Sequence, residues 1–224
     1  MRNIALFICL ALPASVHAYS TGDEQILNRR IKKFEVIGAT DAPWFWMTQF
    51  LMLCRTADVP CGIAFPNREE SEMEGPLKGK RFKNVPLKVI LDFLVAEYPR
   101  YRWIIDKGVI NIVPLAVLES RNVVASPLDR RLKSVDIVEK RMSAAAVKIC
   151  RKAGLGCPPL WLKGGIDGGI GERVESRKIT LHLSDVSFRE ALNALVRKDG
   201  HAIWSFTQGE TPNLGLGEWT PDAP

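Results

Sequence analysis

One pattern occurs twice in this chain, and that repetition restricts its possible folds more than any local propensity does. Residues 81–114, RFKNVPLKVILDFLVAEYPRYRWIIDKGVINIVP, read as strand, amphipathic helix and two further strands. Residues 178–206, KITLHLSDVSFREALNALVRKDGHAIWSF, repeat the first three of those elements. Val85, Leu87, Leu91, Leu94 and Trp103 line up with Val186, Phe188, Leu192, Leu195 and Trp204 at one constant offset.

Within the first copy Leu87, Ile90, Leu91, Leu94, Val95 and Tyr98 recur with the period of one helical face, as do Phe188, Ala191, Leu192, Leu195 and Val196 in the second. Leu87, Leu91, Leu94, Trp103, Phe188, Leu192, Leu195 and Trp204 are therefore the predicted core. Ser187 and Glu190 have the spacing of a capping box, and Pro86 holds the equivalent place in the first copy. Residues 101–105 and 109–113 are rich in aromatic and β-branched side chains, with Asp106, Lys107 and Gly108 between them to make a hairpin turn.

Upstream of each copy lies a further strand and helix. Residues 33–37, a helix opened by Asp41 and Pro43, and residues 62–65 precede the first; residues 135–138, a helix through Met142, Ala145, Ala146, Ile149 and Cys150, and residues 159–162 precede the second. The predicted fold class is α+β: two tandem small β-α-β-β-α-β(-β) domains, each with two helices on a small sheet. The expected boundaries are 33–115 and 131–208, joined by a linker at 116–130. Residues 19–28 are expected to be loose, and 209–224, rich in glycine and proline, to form a disordered tail in which Trp219 is available to dock.

Residues 1–18 carry Arg2, an apolar run and then Val16, His17 and Ala18, the layout of a cleavable export signal. The run is too short to cross a bilayer, so a periplasmic location without a transmembrane segment is expected. Of the five cysteines, Cys9 lies in that leader. Cys54, Cys61, Cys150 and Cys157 form two C-x6-C pairs, one in each copy. In an exported chain an even count predicts disulfides, and the local pairing Cys54–Cys61 and Cys150–Cys157 is the expected one. A zinc site made of all four is the alternative, although zinc ligand pairs ordinarily lie about two to four residues apart.

The chain has 31 basic and 25 acidic residues, a net charge of +6. Lys78, Lys80, Arg81 and Lys83 cluster before the first repeated helix and are the candidate partner-binding residues. Arg130, Arg131 and Lys133, and then Lys148, Arg151 and Lys152, form further clusters. Such charges either solvate a face or meet an acidic partner such as nucleic acid, anionic lipid or an acidic protein patch. An acidic segment, residues 67–76 with Glu69, Glu70, Glu72 and Glu74, precedes the first basic cluster.

The second copy, KITLHL followed by VSFREALNALVRKDGHAIW, resembles the secretin and TonB-dependent receptor short N-terminal (STN) domain; VPLKVILDFL followed by YRWIIDKGVINIV resembles it too. Val85, Leu87, Leu91 and Leu94, and Val186, Phe188, Leu192 and Leu195, fit the family's buried helix face. Val89, Ile90 and Leu91 replace its E-A-L triplet in the first copy. No β-rich barrel segment follows the second copy in this sequence, so the chain is not expected to be the outer-membrane pore itself. The resemblance implies a module that docks on an envelope secretin-like or TonB-receptor-like assembly, with no catalytic residues, no cofactor and no metal.

The residues agree with that implication. His182 and His201 lack the neighbours of a triad, Asp185 and Glu190 suit a strand-to-helix junction, and GGIDGGIG in residues 164–171 completes no phosphate-binding fingerprint. Asp167 and Glu172 fall short of a calcium loop. Direct binding of nucleic acid or an anionic envelope polymer is the alternative function, and an enzyme of unstated type the third.

Overall fold

The computed structural model describes residues 20–38, 45–65, 79–115, 126–156, 159–161, 178–208 and 212–218. The expected leader, the acidic segment, Lys78, Cys157, the glycine-rich segment and Trp219 lie outside them. The fold is α+β. In order, the elements are α1 (Thr21–Leu27), β1 (Arg30–Val36), α2 (Phe45–Ala57), β2 (Cys61–Phe65), β3 (Lys80–Pro86), α3 (Leu87–Glu97), β4 (Tyr101–Asp106) and β5 (Val109–Pro114). A 3-10 turn at Pro127–Asp129 leads into β6 (Arg131–Arg141), α4 (Met142–Lys152), β7 (Pro159–Trp161), β8 (Lys178–Ser187), α5 (Phe188–Asp199), β9 (Ala202–Thr207) and β10 (Asn213–Glu218). From β1 to β5 and again from β6 to β10 the order is strand, helix, two strands, helix, two strands.

The repetition extends to single hydrogen bonds. The Leu87 amide donates to the Arg29 carbonyl, and the Phe188 amide to the Arg130 carbonyl, each at 2.9 Å. Arg29 reaches the Ala57 carbonyl as Arg130 reaches that of Ala153. Before each helix the chain turns through a left-handed residue, Asn84 (φ 52) or Asp185 (φ 50), two residue types that tolerate this conformation. Ser187 and Glu190 form the capping box in full, and α5 stops at Gly200 with φ 92.

Each half does not keep a sheet to itself. One six-stranded sheet runs β4-β5-β2-β9-β10-β7, so the first half supplies three neighbouring strands and the second half the other three. β2 joins them, pairing in parallel with β5 on one side and β9 on the other. β9, the counterpart of β4, runs opposite to it, because β4 is antiparallel to β5 while β2 is parallel to both β5 and β9. Keeping the strand order while reversing strand direction turns the second half over. Its helices therefore cover the opposite face of the sheet.

The side chains follow that geometry. Ile63, Phe65, Ile110, Ile112 and Ile203 point into the core containing Phe50, Leu87, Leu91 and Leu94. Ala64, Val109, Val113, Trp204 and Phe206 point into the core containing Ile149, Phe188, Leu192 and Leu195. Each core thus contains strand residues from both halves. Gly62 faces Trp204 across the β2–β9 pair, and a Cβ there would lie 2.1 Å from the indole. The indole N–H donates to Asn193 Oδ1 (2.8 Å), and the Asn193 amide donates to Asp106 of the first half (3.0 Å).

Two smaller antiparallel ribbons, β1–β3 and β6–β8, complete the structure. They bury Phe34 and Phe82, and Val135 and Leu181, and turn their charged residues outward.

Three expectations are corrected. Residues 21–27 are helical rather than loose, because the Ser20 hydroxyl accepts the Asp23 amide and Asp23 and Glu24 fill the first turn. The expected disordered tail contains β10, whose Leu214 and Leu216 are buried. Trp103 is only partly buried, its N–H donating to Asp92 at 2.9 Å. The other seven predicted core residues are buried.

Cys54 and Cys61 are disulfide-bonded with Cα atoms 6.4 Å apart, linking the end of α2 to β2. Cys150 is also disulfide-bonded; the expected partner, Cys157, is outside the described residues. Replacing Cys54 and Cys61 with Ser should cost about 2–3 kcal/mol, the loop-closure value for so short a loop, as read from urea unfolding. A change below about half a kcal/mol would show that the bond constrains the unfolded chain little. Gly62→Ala should lower stability by about 1–3 kcal/mol, the usual range for overpacking, while the chain still unfolds in one transition. Two separated transitions would contradict the sharing of one sheet by both halves.

Candidate functional site

Of the four basic residues selected from the sequence, the three described ones, Lys80, Arg81 and Lys83, have different surroundings. Lys80 holds its ammonium 5.1 Å from the ring centre of Phe82 and 4.7 Å from that of Phe93, covering two rings that themselves pack edge to face. Arg81 donates to Glu35 at 2.8 Å on the outward side of the β1–β3 ribbon. This ion pair holds the Arg81 pKa above its ordinary value, through the hydrogen bond first and the charge of Glu35 second. Lys83 is exposed and lies directly opposite Lys33. Lys78 lies outside the described residues.

Sequence reasoning placed Lys33 at a strand start and passed over it as a site residue. The missing signal was register: a lysine opposite a lysine is visible only once β1 and β3 are paired. The outer face of this ribbon then carries Arg30, Lys32, Lys33, Arg81 and Lys83, with Glu35 as its one acid. Arg30 donates to Asn84 at 3.0 Å.

The described titratable groups considered for chemistry, His182, His201, Asp185 and Glu190, have structural partners. His182 pairs with Asp136 across the β6–β8 ribbon, the position that Arg81 and Glu35 occupy in the first ribbon. His201 meets Asp58 at 3.0 Å, a contact between the two halves. Asp185 binds Arg131 at 2.8 Å. Glu190 accepts the Ser187 amide at 2.6 Å. That backbone hydrogen bond, with smaller help from the Ser187 hydroxyl, Lys107 and Arg131, holds the Glu190 carboxyl below its ordinary pKa, against the opposing effect of burial. Tyr98 is pushed up to about 12 by burial first and by Glu97 second.

Cavities lie among the described residues. The one bordered by Phe50, Leu94, Val95, Tyr98, Tyr101 and Ile112 has about 10 Å³, at the threshold for a single water. An open depression of about 410 Å³ beside α1 is lined by Thr21, Glu24, Gln25, Asn28 and Arg29. Among the described residues no group of three or more His, Cys, Asp or Glu side chains is arranged to hold a metal, and no helix is long and apolar enough to cross a membrane.

No family model, curated protein or solved structure matches this chain.

Because the Glu190 pKa is depressed by folding, its stabilising effect is present above its ordinary value of 4.5 and is lost as pH falls through the depressed folded value. Glu190→Gln should therefore cost about 0.5–2 kcal/mol at neutral pH, the range for loss of a helix cap. Melting curves for the variant and the parent should converge in acid. A gap that stays constant below pH 4.5 would show that the charge of Glu190 is not what caps the helix.

Proposed function

We propose that this chain is a periplasmic module of two STN-like units that binds another envelope protein and catalyses no reaction. The observation that carries the reading is the repeated outer ribbon. In both halves a two-stranded antiparallel ribbon stands outside the shared sheet, and among the described residues none of its strands pairs with a third. Exposed strand edges offer backbone donors and acceptors for strand addition. Ile37 and Val138, at equivalent places next to β1 and within β6, are each 52% exposed, which adds an apolar contact to each ribbon. The motif in residues 178–204 gives the envelope setting, with a secretin-like or TonB-system component as the partner class.

The outward basic charge also suits nucleic acid or an anionic envelope polymer, and the two readings differ in their salt dependence. Polymer binding should weaken steeply and log-linearly with salt, through counterion release, whereas strand addition loses less.

Two measurements test the proposal. N-terminal sequencing of the mature protein from a periplasmic fraction should begin at Tyr19. Photo-crosslinkers placed at Ile37 and Val138 should capture an envelope protein in living cells. An unprocessed cytoplasmic product, or cross-links only to nucleic acid, would replace the adaptor with another class of function.

A further inference from the structure

The duplication supplies an internal control for surface charge. Wherever a residue is required by the ribbon itself, the other ribbon should hold something equivalent; wherever the two differ, the fold does not dictate the choice. Glu35 and Arg81 face each other across β1 and β3, and Asp136 and His182 face each other at the same place across β6 and β8. That acid–base pair is common to both ribbons, so Arg81 is explained by structure. Lys80 is explained by the two rings that it covers.

The remaining positive charge has no such explanation. Lys33 faces Lys83 where Ser134 faces Ser184 in the second ribbon. Like charges directly opposite on a sheet are destabilising, and the second ribbon shows that the position accepts neutral residues. The neighbouring arginines differ in the same direction. Arg131 is paired with the carboxylate of Asp185, whereas Arg30 has only the neutral amide of Asn84. At Asn84, Lys33 and Lys83 the first ribbon is the more positive of the two. Lys32, exposed like its counterpart Lys133, is common to both ribbons and does not distinguish them; no carboxylate among the described residues pairs with Arg30, Lys32, Lys33 or Lys83.

We infer that the outer face of the β1–β3 ribbon, centred on Lys33 and Lys83, is the docking site for an acidic, extended segment of a partner protein. The inference rests on the protein-binding reading above and names the chemistry of that partner. Lysines that repel one another in the free protein become complementary when carboxylates lie over them, so the unfavourable pair is offset in the complex. An extended segment repeats its same-face side chains about every 7 Å, the repeat of the ribbon beneath it. Nucleic acid fits less well, since base stacking needs open aromatic faces and Phe82 and Phe93 are packed together under Lys80. A membrane surface fits less well because Glu35 and Asn84, not apolar side chains, separate the basic residues on this face.

The test exchanges residues between the repeats. The full mature chain, the variant K33S/K83S and a control K152S/K198S with the same charge change on helices α4 and α5 are titrated against a fluorescent peptide of alternating Glu and Thr. Anisotropy is read at low and at physiological salt. Binding by K33S/K83S should be about tenfold weaker, the size of two exposed ion pairs lost, with a melting temperature equal to or above that of the parent. The control should change by less than about twofold. Equal losses in the two variants, no loss in K33S/K83S, or a fall in its melting temperature would each overturn the inference. So would failure of the parent to bind the peptide while binding a single-stranded oligodeoxynucleotide or phosphatidylglycerol vesicles. A cross-link from Val138 to an envelope protein, alongside an unaffected K33S/K83S, would remove this site and leave the protein-binding reading standing.

Discussion

The close approach of β2 to β9 at Gly62 governs the whole arrangement. A side chain at that position would overlap the indole of Trp204, and only its absence lets the tryptophan lie flat on the sheet beside the strand that joins the two halves. The large apolar ring is then fully buried, and its N–H is satisfied by Asn193. Burying that donor without a partner would cost about 1–3 kcal/mol. Asn193 in turn binds Asp106, so one buried amide ties α5 of the second half to the hairpin of the first.

From that contact follows the distribution of the helices. Because the second half enters the sheet turned over, α2 and α3 occupy one face and α4 and α5 the other. A sheet covered on both sides reads as nearly continuous apolar strands, and β2 is buried along its whole length. The ribbons are then left at the periphery with one face on a core and one toward solvent, alternating in character. The same duplicated unit thus supplies both the shared interior and two outward surfaces. Similar backbones underlie those surfaces, and their charges differ at Lys33, Lys83 and Asn84.

Much of the fold was legible as pattern. The helical period of Leu87, Leu91 and Leu94, the capping box of Ser187 and Glu190, and the C-x6-C spacing at Cys54 are local signals, set within one or two turns of chain. The misreadings have local causes too. In β10, Gly215 and Gly217 carry low strand propensity and suggested a loose tail, yet Leu214 and Leu216 alternate with them at the strand period, and burial against Trp204 and Phe206 overrides the glycines. Trp103 matches Trp204 in sequence and in its bond to the preceding helix, Asp92 in place of Asn193. β4, however, is an edge strand of the sheet, and its tryptophan is only partly buried.

The candidate site was legible only in part for the same reason. Basic residues close in sequence, such as Lys80, Arg81 and Lys83, look alike in a linear reading, but alternation along a strand and pairing across it send them to different environments. Lys33 and Lys83, fifty residues apart, become neighbours only through the antiparallel register. By itself the sequence determined the duplicated order of strands and helices, the apolar faces and the chain's excess of positive charge, because periodicity and composition act over a few residues at a time. The tertiary structure alone decided that both halves share one sheet, which tryptophan is core, and which lysines face each other unpaired. Those outcomes depend on contacts between residues far apart in the chain, and such contacts leave no trace in local propensity.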